Sequence, residues 1–374
     1  MVSKKIMGRD LSFISILFLS AIFFVSMSPE LFGGVISKSS ILVIILFNIT
    51  LFRIGRVRLM AISLISVFLI LKYFLVEFLS TSSPDYSPIV LCSYLLLLIT
   101  TPFHSSNYFI SIRYGLLLAI TAGFIASSFS LFMGNDAFLH SLYNKGLIDV
   151  SAFIGFTSIP QTFASLALLY IFSLTGQKGS LGWLISSFSI LCSINRIMLF
   201  GYFSLFLINK RLLLVLSLLL VLFVFYGLSI DDGFLTTQTL ASRNEMLINV
   251  INYISSLSSF DLLFGTFIKP DFYIHESGIS YIENGFAFIV YYFGFVGLLI
   301  YLSFVFVVGR GLINSLVNKK LINIRVVTFF FYISLFVPFF THEFLFVSFY
   351  LSIAFVIRFY IISNAKKNPS GDIL

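Results

Sequence analysis

The chain has 374 residues, 59% of them hydrophobic and only 10% charged, with a formal net charge of +8 and a mean hydropathy of +1.06. Soluble proteins carry about 25% charged residues, so a water-soluble fold is excluded and an all-α polytopic membrane protein is expected. The positive balance offers no support for nucleic-acid binding, because short basic connections between apolar runs act as orientation signals.

A bilayer span needs roughly 20 apolar residues. On that measure about twelve spans are expected, near 10–28, 36–52, 59–79, 88–102, 114–133, 151–174, 181–194, 197–209, 212–228, 283–307, 326–341 and 343–362. With the N-terminus cytoplasmic, all but six of the 23 basic residues fall in inward-facing connections, the six being Lys38, Lys72, Lys145, Arg196, Arg243 and Lys269. Of the 15 acidic residues only Asp10 and Asp372 fall inside. Both termini are therefore expected in the cytoplasm. Lys4-Lys5 before an apolar run has no small-residue cleavage site after it, which predicts an uncleaved first span. Cys92 and Cys192 both lie in expected spans, so no disulfide is predicted.

Residues 1–228 are expected to form a transmembrane bundle holding the first nine spans. Within it Lys72 sits near the middle of the third span, where a Lys costs roughly 2.5–3.5 kcal/mol unless it finds a partner. Glu77, five residues on, is the nearest carboxylate in sequence. Asp136 and His140 stand four apart, a spacing that would place two metal ligands on one helix face, but no third ligand lies nearby and a solvated loop is the better expectation. Pro160-Gln161 is predicted to kink the sixth span. Asn195-Arg196 interrupts the apolar run from Leu181 to Asn209, too long for one span, and is expected to cap a tight outer hairpin. Arg196 is there either as a cation snorkelling to headgroups or as one held for a lipid-linked phosphate.

Residues 229–282 form the one long polar interval, expected as a large periplasmic loop between spans nine and ten. Ser242-Arg243-Asn244-Glu245 reads as a capping box, with Glu245 returning to the N-cap. Leu247, Val250, Ile251, Ile254 and Leu257 then repeat at helical spacing and predict an amphipathic helix near 243–257. Arg243 falls in the first turn, where the backbone amides already favour an anion. It fits better as half of a phosphate site than as a helix stabiliser. Asp231, Asp232, Asp261 and Asp271 are expected as solvated loop carboxylates, while His275-Glu276 lies where a long loop can fold over a site. Glu283-Asn284-Gly285 opens residues 283–374, the last three spans and a cytoplasmic tail, and Gly294 and Gly297 permit close packing there. No Walker motif, GxGxxG, CxxC or HExxH is present, so a nucleotide-driven pump or zinc protease is not supported.

These features in this order resemble the bacterial O-antigen and capsule repeat-unit polymerases (the Wzy type), and more distantly the O-antigen ligases of the same superfamily. The resemblance rests on Asn195-Arg196 before two closely following spans, Ser242-Arg243, Phe264-Gly265, and Glu283-Asn284 followed by Phe-Ala-Phe-Ile-Val-Tyr-Tyr-Phe-Gly-Phe-Val-Gly. Relatives commonly carry Ser-Arg at the first site and His-Asn or a related polar pair at the last; here Asn195 precedes Arg196 and Glu283 stands where His is frequent. The resemblance implies a GT-C-like, metal-independent glycosyltransferase of the bacterial inner membrane that needs no cofactor. Its substrates would be undecaprenyl-pyrophosphate-linked oligosaccharides, donor and acceptor, met at the periplasmic face of the bilayer. A chain-length regulator and a flippase are the implied partners.

Such a reaction expels a pyrophosphate, so preorganised cations stabilise its transition state, and the planar guanidinium fork suits phosphate oxygens. Arg196 and Arg243 are thus the expected pyrophosphate clamps. Glu283 is the leading base for the attacking hydroxyl, with His275 and Glu276 in reserve and Asn195, Ser242, Glu245 and Asn284 supporting. A transporter or flippase of lipid-linked oligosaccharide is the alternative from another class, and an O-antigen ligase the alternative within the same one.

Overall fold

The computed structural model describes residues 11–52, 54–79, 85–141, 151–174, 180–203, 248–268, 282, 284–317, 322–341 and 345–365, and of residues 75–79, 340, 364 and 365 the backbone alone. Helix dominates these residues. Four helices are long and apolar enough to cross a membrane: Gly34–Leu51, Arg56–Phe74, Ser106–Met133 and Gly285–Val317. They suggest a multi-pass membrane protein. Twelve spans are not displayed by the described residues. Several expected spans are short apolar helices, such as Leu181–Cys192 with 12 residues, about 18 Å long against a hydrocarbon core of about 30 Å. The segment 212–228 lies outside the described residues.

The described chain divides into two compact units, Met1–Gly115 with Val250–Leu374, and Leu116–Asn249. In the first, α1 (Phe13–Ser26) starts on Ser12, whose hydroxyl accepts the Ser15 amide at 3.2 Å. The short α2 (Pro29–Phe32) leads into α3 (Gly34–Leu51), which packs on α1 through small residues. Ser37 Oγ donates to the Val25 carbonyl at 2.8 Å across that seam. Next come α4 (Arg56–Leu79), α5 (Ser87–Thr100) and α6 (Ser106–Met133). Buried Asn48 of α3 donates to the Tyr108 hydroxyl at 2.9 Å and ties these helices together. Such interhelical polar bonds are the usual glue where lipid removes a hydrophobic drive for association.

The second unit contains a two-stranded antiparallel ribbon, β1 (Leu139–Ser141) with β2 (Ser151–Phe153), in register Leu139 to Phe153. This small sheet departs from the all-α expectation. Asp136 and His140 are both exposed. Then follow α7 (Pro160–Ser173), α8 (Leu181–Cys192) and α9 (Arg196–Tyr202). Pro160 does not kink a span: it is the first residue of α7, after extended Ile159 (φ −145°, ψ 148°). A first-turn Pro loses no helical hydrogen bond, and it biases the preceding residue away from helix. The expected sixth span therefore begins nine residues late, and α7 is buried along nearly its whole length.

Back in the first unit, residues 248–256 form a helix (α10) that begins beyond the unit boundary, followed by α11 (Ser259–Phe264). Val250 is buried, Tyr253, Ile254 and Leu257 are half-buried, and Ile251 is exposed. The packed stripe is thus 250, 253, 254, 257. Last come α12 (Gly285–Val317), α13 (Ile324–Phe331) running through a π-helical turn (Tyr332–Phe336) into α14 (Val337–Phe340), and α15 (Val347–Ala365).

Candidate functional site

α4 is exposed along most of its surface, with Leu71 and Phe74 each 57% exposed, yet Lys72 between them is only 6% exposed. Its ammonium donates to the carbonyl of Gly265 and stands 3.9 Å from the Asp261 carboxylate. It also lies 5.3 Å from the centre of the Phe260 ring, within cation–π range. The partner is therefore Asp261, 189 positions along the chain, and the side chain of Glu77 lies outside the described residues. Asp261 is correspondingly not a free loop carboxylate.

Local chemistry explains why Asp261 and Gly265 meet the ammonium. Ser258 is the N-cap of α11: its hydroxyl accepts the Asp261 amide at 3.1 Å and donates to Asp261 Oδ2 at 2.8 Å. The pair follows the Ser-x-x-acid pattern of a helix start, with the carboxylate taking the serine hydroxyl. One helical turn later Gly265 ends α11 at φ +74°, with its amide on the Asp261 carbonyl at 2.6 Å. Left-handed backbone costs glycine nothing, and it turns the Gly265 carbonyl to the ammonium.

α12 is broken at Gly294 (φ 66°, ψ −172°). The two positive-φ glycines dock reciprocally. A Cβ on Gly265 would overlap the Tyr292–Phe293 peptide, and a Cβ on Gly294 would overlap the Leu263–Phe264 peptide. Backbone thus lies directly on backbone, which only two glycines permit. Around this junction the Thr266 amide donates to the Tyr291 carbonyl at 2.8 Å and the Tyr291 hydroxyl to the Ile268 carbonyl at 3.1 Å. On the other side Asp85 donates its amide to the Phe267 carbonyl at 2.7 Å, and its carboxylate accepts the Tyr292 hydroxyl and, at 2.8 Å, the Ser87 amide. Phe68 stacks on Phe293 and meets Phe267 edge to face. Segment 265–268 is held by α4, the start of α5 and α12 together. Helix breaks at membrane depth are tolerated where other backbone or side chains satisfy the freed groups, as these do.

Among the expected site residues, Arg243, Ser242, Glu245, His275, Glu276 and Glu283 lie outside the described residues. Asn284 is the start of α12: its Oδ1 accepts the Ala287 amide at 3.0 Å and its Nδ2 donates to the Phe339 carbonyl at 2.8 Å. It anchors the broken helix. Asn195 caps α9, accepting the Met198 amide at 3.0 Å, and exposed Arg196 is the first residue of that helix. Just before them Ile194 has φ +48°. A β-branched residue in that region is strained by about 1–3 kcal/mol and persists only where its surroundings impose it. Asn195-Arg196 belongs to one unit and Asn284 to the other.

Neither the Lys72–Asp261 pair nor the Asp85–Tyr292 contact is among the pairings expected from sequence. Two local signals were present: Ser258-x-x-Asp261 before an apolar run, and Asp85-x-Ser87, the spacing at which an Asp side chain bonds a backbone amide two residues on. No family model, curated protein or solved structure matches the chain.

Proposed function

We propose that the protein polymerises undecaprenyl-pyrophosphate-linked oligosaccharide repeat units into O-antigen or capsular polysaccharide at the periplasmic face of the bacterial inner membrane. The growing glycan leaves its pyrophosphate carrier and is transferred to the terminal sugar of a new repeat unit. Arg196 and Arg243 hold the departing pyrophosphate, whose negative charge grows as the glycosidic bond breaks. Glu283 takes the proton of the attacking hydroxyl, with His275 and Glu276 as alternative bases.

The observation that carries this reading is the junction of Gly265 with Gly294. Phe264-Gly265 and the stretch after Glu283-Asn284 are two of the features on which the polymerase resemblance rests, and they build one interlocked structure. Glu283 directly precedes the cap of the helix that receives Gly265. Lys72, on the same junction, follows Arg58 by 14 residues on α4, about 21 Å along its axis. With Arg58 read as cytoplasmic, that spacing supports a reading in which the junction lies on the far side of the span's midpoint.

One observation favours a second reading, a transporter or flippase of the same lipid-linked oligosaccharide: a discontinuous helix beside a buried, ion-paired Lys is a common arrangement at transport sites. Arg196→Ala and Arg243→Ala in a strain lacking its own copy separate the two when surface glycan is resolved on a gel. Single-repeat glycan is expected to survive while the long ladder disappears. Loss of both would mean transport, and full-length polymer stranded on its carrier would mean ligation.

A further inference from the structure

Residues 259–268 belong to the polar interval expected outside the bilayer, yet two helices measure them below its outer surface. On α4 no charged residue stands between Arg58 and Lys72, a rise of about 21 Å. On α12 none stands between Gly294 and Arg310, 16 positions of helix unbroken after Gly294 and about 24 Å long. The charge pattern reads both arginines as cytoplasmic. Lys72 donates to the Gly265 carbonyl, and Gly294 lies on the Leu263–Phe264 peptide, so both lengths end on the last turn of α11. They agree to within one turn of helix. Against a hydrocarbon core of about 30 Å, that turn lies inside it, in the half away from the arginines.

The side chains and backbone of the segment suit that depth. Phe260, Leu263 and Phe264 of α11 are exposed, as are Leu71 and Phe74 beside Lys72 and Phe295 and Leu299 after Gly294. The carboxylate of α11, Asp261, is paired with Lys72 and takes the Ser258 hydroxyl, which is what a charge below the membrane surface requires. The irregular backbone after α11 is satisfied as well. The Gly265, Phe267 and Ile268 carbonyls accept from the Lys72 ammonium, the Asp85 amide and the Tyr291 hydroxyl, and the Thr266 amide donates to the Tyr291 carbonyl. A loop in water needs no such partners, whereas hydrocarbon makes them obligatory.

We propose that α11 is a re-entrant helix whose Phe260, Leu263 and Phe264 rest on lipid acyl chains in the outer half of the bilayer. The polar interval therefore dips back into the membrane before α12 begins. This surface is independent of the chemistry proposed for the outer face and would serve a polymerase or a transporter alike.

The test is tryptophan fluorescence of the full chain in phosphatidylcholine vesicles, with Trp183, the sole native tryptophan, as the background to subtract. Phosphatidylcholine brominated on its chains is expected to remove most of the fluorescence that Leu263→Trp adds, and aqueous iodide little of it. Bromines close to the headgroup should quench more than bromines close to the terminal methyl. Leu71→Trp should behave alike, whereas Asp136→Trp, at an exposed position, should respond to iodide instead. If Leu263→Trp does not fold, Phe260→Trp, aromatic for aromatic at an exposed position, decides by the same quenching. Quenching by iodide would place α11 in water and overturn the proposal. Quenching by neither would mean that protein covers this face, a second copy included, and would overturn it equally. Stronger quenching from the methyl end would put α11 at the midplane and overturn its depth.

Discussion

Gly294→Ala is expected to destabilise the protein by roughly 2–6 kcal/mol, a large fraction of the total stability of an ordinary domain. Two costs combine. Non-glycine residues in sparsely populated backbone regions lose about 1–3 kcal/mol, and Gly294 stands at φ 66°. Overpacking a filled site costs about as much again, and the new methyl would meet the Leu263–Phe264 peptide rather than a side chain able to swing away. Gly265→Ala should behave alike, because its methyl would meet the Tyr292–Phe293 peptide. Gly34→Ala is the control: nothing lies within 4 Å of a Cβ there, and its φ is not in the left-handed range. Thermal unfolding in detergent reads all three. A Gly294→Ala protein as stable as Gly34→Ala would mean that the two backbones do not touch.

The Lys72–Asp261 pair is expected to show asymmetric mutational effects. Asp261→Asn leaves a buried ammonium with a carbonyl and a ring but no counter-charge. Breaking a fully buried pair costs about 3–5 kcal/mol, while exposed pairs contribute about 0.2–1 kcal/mol. The Asp261 side chain is 38% exposed against 8% for Lys72, so a loss of about 1–3 kcal/mol is expected. Lys72→Met removes the charge that the apolar span resists at roughly 2.5–3.5 kcal/mol. It leaves the Gly265 carbonyl without its donor, a loss of about 1–3 kcal/mol. The two effects oppose, and the variant should be close to neutral. In a Lys72→Met background Asp261→Asn should then cost almost nothing, giving a coupling above about 1 kcal/mol in a double-mutant cycle. Simple additivity in chemical unfolding would show that the two charges do not interact.

Much of this arrangement was legible in sequence where the signal is local. A Lys in an apolar run announces that it needs a partner, and Lys72 has one. Asn195 and Asn284 were recognisable as polar interruptions, and the structure gives both the same job, capping a helix. The identity of partners was not legible, since Lys72 and Asp261 are 189 positions apart and nothing in either neighbourhood encodes the other. Glu77 is the nearest carboxylate in sequence, but five residues is neither of the spacings that face each other on a helix. Pro160 shows a different difficulty: the same residue kinks a helix from inside and starts one from its first position, and hydropathy does not separate the two. In sequence, Gly294 signals room for a neighbouring helix. What it admits is the backbone of a loop segment, a distinction that rests on φ and leaves no mark on composition.

The polymerase proposal is met most directly by reconstitution. The purified full chain in vesicles, given undecaprenyl-pyrophosphate-linked repeat units on the outer-face side, should release undecaprenyl pyrophosphate and lengthen the glycan in steps of one repeat, and Arg196→Ala should do neither. Movement of the lipid-linked oligosaccharide across the vesicle membrane, with no carrier released and no glycan longer than one repeat, would contradict it.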